Sequence, residues 1–246
     1  MLHPEAPLDV RIFLFLHIVA GTFALAVAPV AMIVKKGGTT HRRWGKSYVY
    51  AMLVVALTSL RVAPYFGDFF LLAIAVFSSY LAFSGWRVLR LKRPDRGDAP
   101  ALVDWSASIA VIVAGCVLIG MAIVQRVSFG AFVPVLVVLG GLAVGLGAID
   151  IRNFLVPKAD KTAWFFSHIG KMTGAYIATV TAFSSVNFLF IHPIWLRWLW
   201  PTAAGGALIY YWISTYRARF ARVRAAQGAG PASLRIPSAL LATLSS

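Results

Sequence analysis

The sequence predicts an all-α fold, a polytopic membrane protein of seven transmembrane helices with its amino terminus outside and its carboxyl terminus in the cytoplasm. Three observations predict it. Of 246 residues, 60% are hydrophobic and only 13% charged, too few charges to cover a soluble globule of that length. The apolar residues gather into runs close to the ~20 residues that a helix needs to cross a bilayer. The Lys and Arg residues collect in alternate connections, the asymmetry that keeps cationic loops in the cytoplasm.

The first run, 12–34, is preceded by Glu5, Asp9 and a single arginine, Arg11, and followed by Lys35 and Lys36. Those are the wrong flanks for a signal peptide, and Pro29 after Ala26, Val27 and Ala28 obstructs cleavage, so the run is expected to remain a helix. Runs at 47–63, 69–86 and 132–149 are short spans, and those at 101–124, 164–191 and 194–213 are full-length ones. The connections after the first, third and fifth helices, with the tail, hold 18 of the 23 Lys and Arg residues. Arg11, Arg61, Arg126 and Arg197 stand on the other side, and Lys171 lies within the sixth helix. Tryptophans fall near both expected interfaces, Trp44, Trp86, Trp105, Trp164 and Trp212 inside and Trp195, Trp198 and Trp200 outside, where an amphipathic indole is favoured. Residues 1–216 form one transmembrane domain on this reading, and 217–246 a basic cytoplasmic tail. Its RARFARVR segment is expected to lie along the inner membrane surface and the remainder to be mobile.

A net charge of +15 would suit nucleic acid on a soluble fold, but here it is divided among four cytoplasmic segments with no stacking or groove-reading module. The expected partners are the bilayer itself and anionic lipid headgroups at the cytoplasmic face, worth about 1 kcal/mol per basic residue, with homo-oligomerisation left open. The single cysteine, Cys116, excludes an internal disulfide framework and any CxxC motif.

Small-residue spacing marks the helix faces that meet. His17, Gly21, Ala24, Ala28 and Ala31 form such a stripe in the first helix, and Ser167, Lys171, Gly174, Ala178, Thr181 and Ser185 form one in the sixth, which is therefore expected to be central. Gly140, Gly141, Gly145 and Gly147 mark a packing or bendable surface in the fifth. Ionisable groups at membrane depth cost about 2.5–3.5 kcal/mol at mid-helix, so each calls for a partner or a role. The inner candidates for ligand binding are His41, Arg43, Asp104, Asp150, His168 and Lys171, and the outer candidates are His17, Arg61, Asn187 and His192. In TTHRRWGKSYVY (39–50), Thr39 or Thr40 can cap the second helix, the three cations hold the connection inside, and the aromatics anchor the interface. His41 and Gly45 are left unexplained, since a helical glycine costs about 1 kcal/mol relative to alanine unless something must approach it closely.

Three segments carry a family likeness: LHIVAGTFALAV in the first helix, HRRWGKSYVYA before the second, and SHIGKMTGAYIATVTAFSSVN in the sixth. Together they resemble a family of bacterial multi-pass membrane proteins classed as a domain of unknown function. The resemblance covers the first six helices and implies that His17, His41, Arg42, Gly45, His168 and Met172 are pattern positions, in a bacterial cytoplasmic membrane. It implies no reaction.

Three functional readings follow from the residues. The first is a polar cavity open to the cytoplasm for a small ligand, solute or proton, with Asp104 and Asp150 as acids and His41, His168 and Lys171 as partners. The second is b-type haem held between histidines, similar in outline to cytochrome b561. His17 and His168 stand about 16 Å apart in depth, too far for one iron, whereas His41 with His168 and His17 with His192 are each offset by about 10 Å unless loops fold back. The third is a zinc hydrolase using His41, His168, Asp104 and Asp150, although no tight His-x-x-x-His spacing supports it.

Overall fold

Apolar runs separated by glycine, proline and charge fold as helices in the computed structural model, which describes residues 5–124, 126–156, 160 and 162–228. The seven long helices are α1 (Leu8–Ile33), α2 (Thr39–Tyr65), α3 (Phe69–Arg87), α4 (Leu102–Val124), α5 (Val133–Leu155), α6 (Ala163–Asn187) and α7 (Ile194–Gly228), joined by short helical turns. No strand occurs among the described residues. The first five helices are long and apolar enough to cross a membrane. The last two fall short of that hydropathy for separate reasons. Helix α6 buries a polar line of Thr173, Thr179, Thr181 and Ser184 against its neighbours, and α7 interleaves its aliphatic residues with tryptophan, tyrosine, glycine, Pro201 and Arg197.

Several boundaries differ from the sequence reading, among them the start of α1 at Leu8 and the end of α5 at Leu155. Helix α2 begins at Thr39, so the last eight residues expected as a connection, 39–46, are its first two turns. A left-handed Gly37 (φ 76°) makes the turn after α1, a conformation that costs glycine little. The cap is Gly38 in extended backbone with no side-chain bond, not Thr39 or Thr40. Helix α6 ends at Asn187 rather than at residue 191. Helix α7 continues unbroken through RARFARVR to Gly228, so those basic turns prolong α7 instead of forming a separate element. The remainder of the expected tail, 229–246, lies outside the described residues.

The helices pack in neighbouring pairs. The α1–α2 and α4–α5 contacts are the most extensive, and α3 touches α2, α4 and α6. Helix α6 is held by α3, α7 and part of α1. The α4–α5 crossing is backbone on backbone: a Cβ on Gly115 would stand 2.7 Å from the Gly140 carbonyl oxygen, and one on Gly140 would stand 2.9 Å from that of Gly115. Small residues allow such an approach, which gains dispersion contacts that lipid cannot supply. At one end of the bundle Trp198 is buried against Phe70 and Phe132, with ring centroids 5.0 and 5.6 Å away. This indole seals the protein interior rather than floating at an interface.

Candidate functional site

The ends of α3 and α5 and the starts of α2, α4 and α6 meet at one end of the bundle, and most of the inner candidates are there. Asp104, in the first turn of α4, is buried and accepts two hydrogen bonds from the Arg87 guanidinium, Nε to Oδ1 at 2.7 Å and Nη2 to Oδ2 at 2.6 Å. The backbone N–H of Ala101 donates to Oδ2 at 2.8 Å. A planar fork meeting a planar carboxylate is the strongest form of this pairing, and the carboxylate also meets the positive end of its own helix.

Asp150, near the end of α5, is buried and accepts from Lys171 Nζ at 2.7 and 2.5 Å. The Tyr80 hydroxyl on α3 donates to its Oδ2 at 2.6 Å. A carboxylate, an ammonium and a phenol from three helices therefore close one cluster. Arg87 and Tyr80 are the partners that sequence spacing did not identify. Each lies on α3, 17 and 70 residues from its acid, and the only signal was the demand that a buried acid be paired.

Two clefts adjoin this cluster. One, of about 120 Å³, lies among α3, α4, α5 and α6 and is lined by Arg87, Asp104, Ser108, Asp150 and Lys171 among others. The other, of about 310 Å³, occupies the groove between α5 and α6 and reaches Arg217 on α7. Both touch Asp150, Asn153, Asp160, Ala163, Ser167 and Lys171. The Asp150–Lys171 pair thus lines both clefts.

The histidines form a second group at the same end. His41 Nδ1 lies 2.9 Å from the Ala31 carbonyl and His168 Nδ1 lies 2.7 Å from the Gly85 carbonyl. A carbonyl oxygen only accepts, so in both rings Nδ1 carries the proton. The two rings are half-buried and their centroids are 6.2 Å apart, at 74°. Arg43, expected beside them, is exposed. Lys36, in the α1–α2 turn, donates to the Met32 and Ala31 carbonyls at the end of α1, and partial burial lowers its pKa below the ordinary lysine value.

Among the described residues no group of three His, Cys, Asp or Glu side chains is placed to hold a metal. The set of His41, His168, Asp104 and Asp150 is not gathered at one point, because each acid is held by its own cation while the histidines face one another. Gly45 also departs from expectation: a Cβ there would meet nothing within 4 Å, so no close packing requires it.

The outer candidates do not converge. His17 Nδ1 lies 3.1 Å from Thr58 Oγ1 and 3.4 Å from Ser59 Oγ, and both hydroxyls donate back to α2 carbonyls. Arg61 pairs with Asp9 at 2.6 Å, the Asn187 amide donates to Phe183 in its own helix, and His192 is exposed before α7. The Arg61–Asp9 pair is partly exposed on both sides, so Arg61→Ala is expected to leave the thermal unfolding midpoint of the detergent-solubilised protein unchanged, since exposed pairs contribute little.

No family model, curated protein or solved structure matches this chain.

Proposed function

We propose that the chain is a seven-span protein of the bacterial cytoplasmic membrane, amino terminus outside and carboxyl terminus inside, whose inner-end cavity binds a small polar ligand on a solute or proton path. The orientation rests on the eighteen basic residues of the inner connections and tail against four outside, and the bacterial membrane on the family resemblance. The observation that carries the functional reading is the Asp150–Lys171 pair, hydrogen-bonded by Tyr80, that lines two adjoining clefts. Buried ionisable residues at membrane depth mark ion and substrate routes. A carboxylate that can trade its ammonium for a proton or a ligand cation is suited to such a step. Helices α5 and α6 are joined here by side chains rather than by backbone packing, which leaves the groove open.

The test is proton flux in vesicles of phosphatidylethanolamine and phosphatidylglycerol carrying an internal pH dye and a valinomycin-set potential. Wild type is expected to exceed protein-free vesicles, and Asp150→Asn to lose at least about tenfold of that flux, roughly 1.4 kcal/mol on the barrier. Asp9→Asn, at the other end, should retain it. Equal flux in wild-type and Asp150→Asn vesicles would remove the cluster from any proton path.

A further inference from the structure

We propose that His41 and His168 are the two axial ligands of one b-type haem, held between α2 and α6 at the inner end of the bundle. This inference does not use the Asp150–Lys171 pair; of the residues it draws on, Lys92 also lines the smaller cleft. The first argument is distance. With metal–nitrogen bonds near 2 Å and about 1.2 Å from ring nitrogen to ring centre, two imidazoles trans across one metal place their centroids about 6.4 Å apart. The observed separation is 6.2 Å. Edge-to-face ring pairs also span about 4.5–7 Å, so the distance admits a metal between the rings and the tautomers carry the choice.

The second argument is the tautomer. Each Nδ1 proton is committed to a backbone carbonyl, Ala31 for His41 and Gly85 for His168. The lone pair of each ring therefore sits on Nε2, and among the described residues neither Nε2 has a hydrogen-bond partner. A carbonyl on the far nitrogen is what orients a metal-ligating histidine and raises its basicity. The offset of about 10 Å expected from helix depth disappears because α2 starts at Thr39, which carries His41 into the helical bundle instead of leaving it on a connection.

The third argument is room. Helix α2 packs along α1 and α3, and α6 along α3 and α7, so the space between α2 and α6 is crossed by side chains. Thr179 meets Tyr48 at 3.1 Å and Met52 Sδ at 3.7 Å, and the histidine pair stands nearer the helix starts. One turn beyond His41, on the same face, Gly45 presents open space where any other residue would put a side chain. A flat macrocycle between the rings needs such a bare face. Lys36 and Lys92 lie near enough to His168 to act on it electrostatically, and ammonium groups at that rim suit a pair of propionates.

The experiment uses the full chain purified in detergent, with haemin added, and reads the oxidised and dithionite-reduced spectra, ferric electron paramagnetic resonance, haem stoichiometry and bound copper and zinc. One haem per chain is expected, low-spin and six-coordinate, with a sharp reduced α-band. His41→Ala and His168→Ala should each abolish the low-spin signal, leaving a high-spin or haem-free protein. His168→Met, which keeps a ligand, should retain a six-coordinate centre with a shifted α-band and a raised midpoint potential, separating ligation from loss of fold. His17→Ala and Asp150→Asn should leave the spectrum unaltered. The proposal is overturned by failure to take up haem, by a low-spin signal that survives both alanine variants, or by a colourless protein carrying stoichiometric copper or zinc.

Discussion

Arg87→Met is expected to destabilise the protein by about 3 kcal/mol, measured by dodecyl sulfate unfolding in mixed micelles. The reason is asymmetry rather than the strength of the pair. Asp104 exposes 3% of its side chain and Arg87 12%, so removing the guanidinium leaves a buried carboxylate with the Ala101 N–H as its remaining hydrogen-bond donor outside the Arg87 pair. Taking one partner from a buried pair costs far more than replacing both. The double variant Arg87→Met with Asp104→Leu should therefore recover at least half of the loss. A single-variant effect below about 1 kcal/mol would show that the adjoining cleft hydrates Asp104 and that the pair is no structural pin.

Gly140→Leu is the second large effect, expected to cost at least about 2 kcal/mol by forcing α4 and α5 apart. Any Cβ at that position stands 2.9 Å from the Gly115 carbonyl oxygen, a backbone contact that no change of rotamer relieves, and equally close to the Ile119 side chain. The adjacent Gly141 has nothing within 4 Å of its Cβ position, so Gly141→Leu should unfold at the wild-type detergent fraction. Because α4 carries Asp104 and α5 carries Asp150, Gly140→Leu should also reduce any flux through the cavity. Equal stability in the two leucine variants would mean that the crossing adjusts, and that the glycines of α5 serve bending rather than contact.

Gly140 and Gly141 also show where sequence reasoning ends. The glycine set in α5 was recognisable as a packing surface, but Gly140 and Gly147 face α4 while Gly141 and Gly145 face open space. Which phase of the helix meets a neighbour depends on rotation set by contacts elsewhere. His41 gives the same lesson for the site. Charge bias grouped it with His168 on one side of the helices, yet its 6.2 Å approach to His168 required α2 to start eight residues earlier than hydropathy indicated. Polar first turns are stabilised by the helix that follows them, whereas a hydropathy window detects only their lack of apolar surface.

By itself the sequence determined the all-helical architecture, the segments that become helices and the end of the bundle at which Asp104, Asp150, His41 and His168 stand. These depend on transfer free energies of contiguous runs and on charge flanking them, quantities that are local in the chain. Only the tertiary structure decided the partners: Arg87 for Asp104, Lys171 with Tyr80 for Asp150, and His168 for His41. A buried polar group must be satisfied, but any helix that reaches it can satisfy it, so pairing is determined by the way seven helices pack and not by the composition of one.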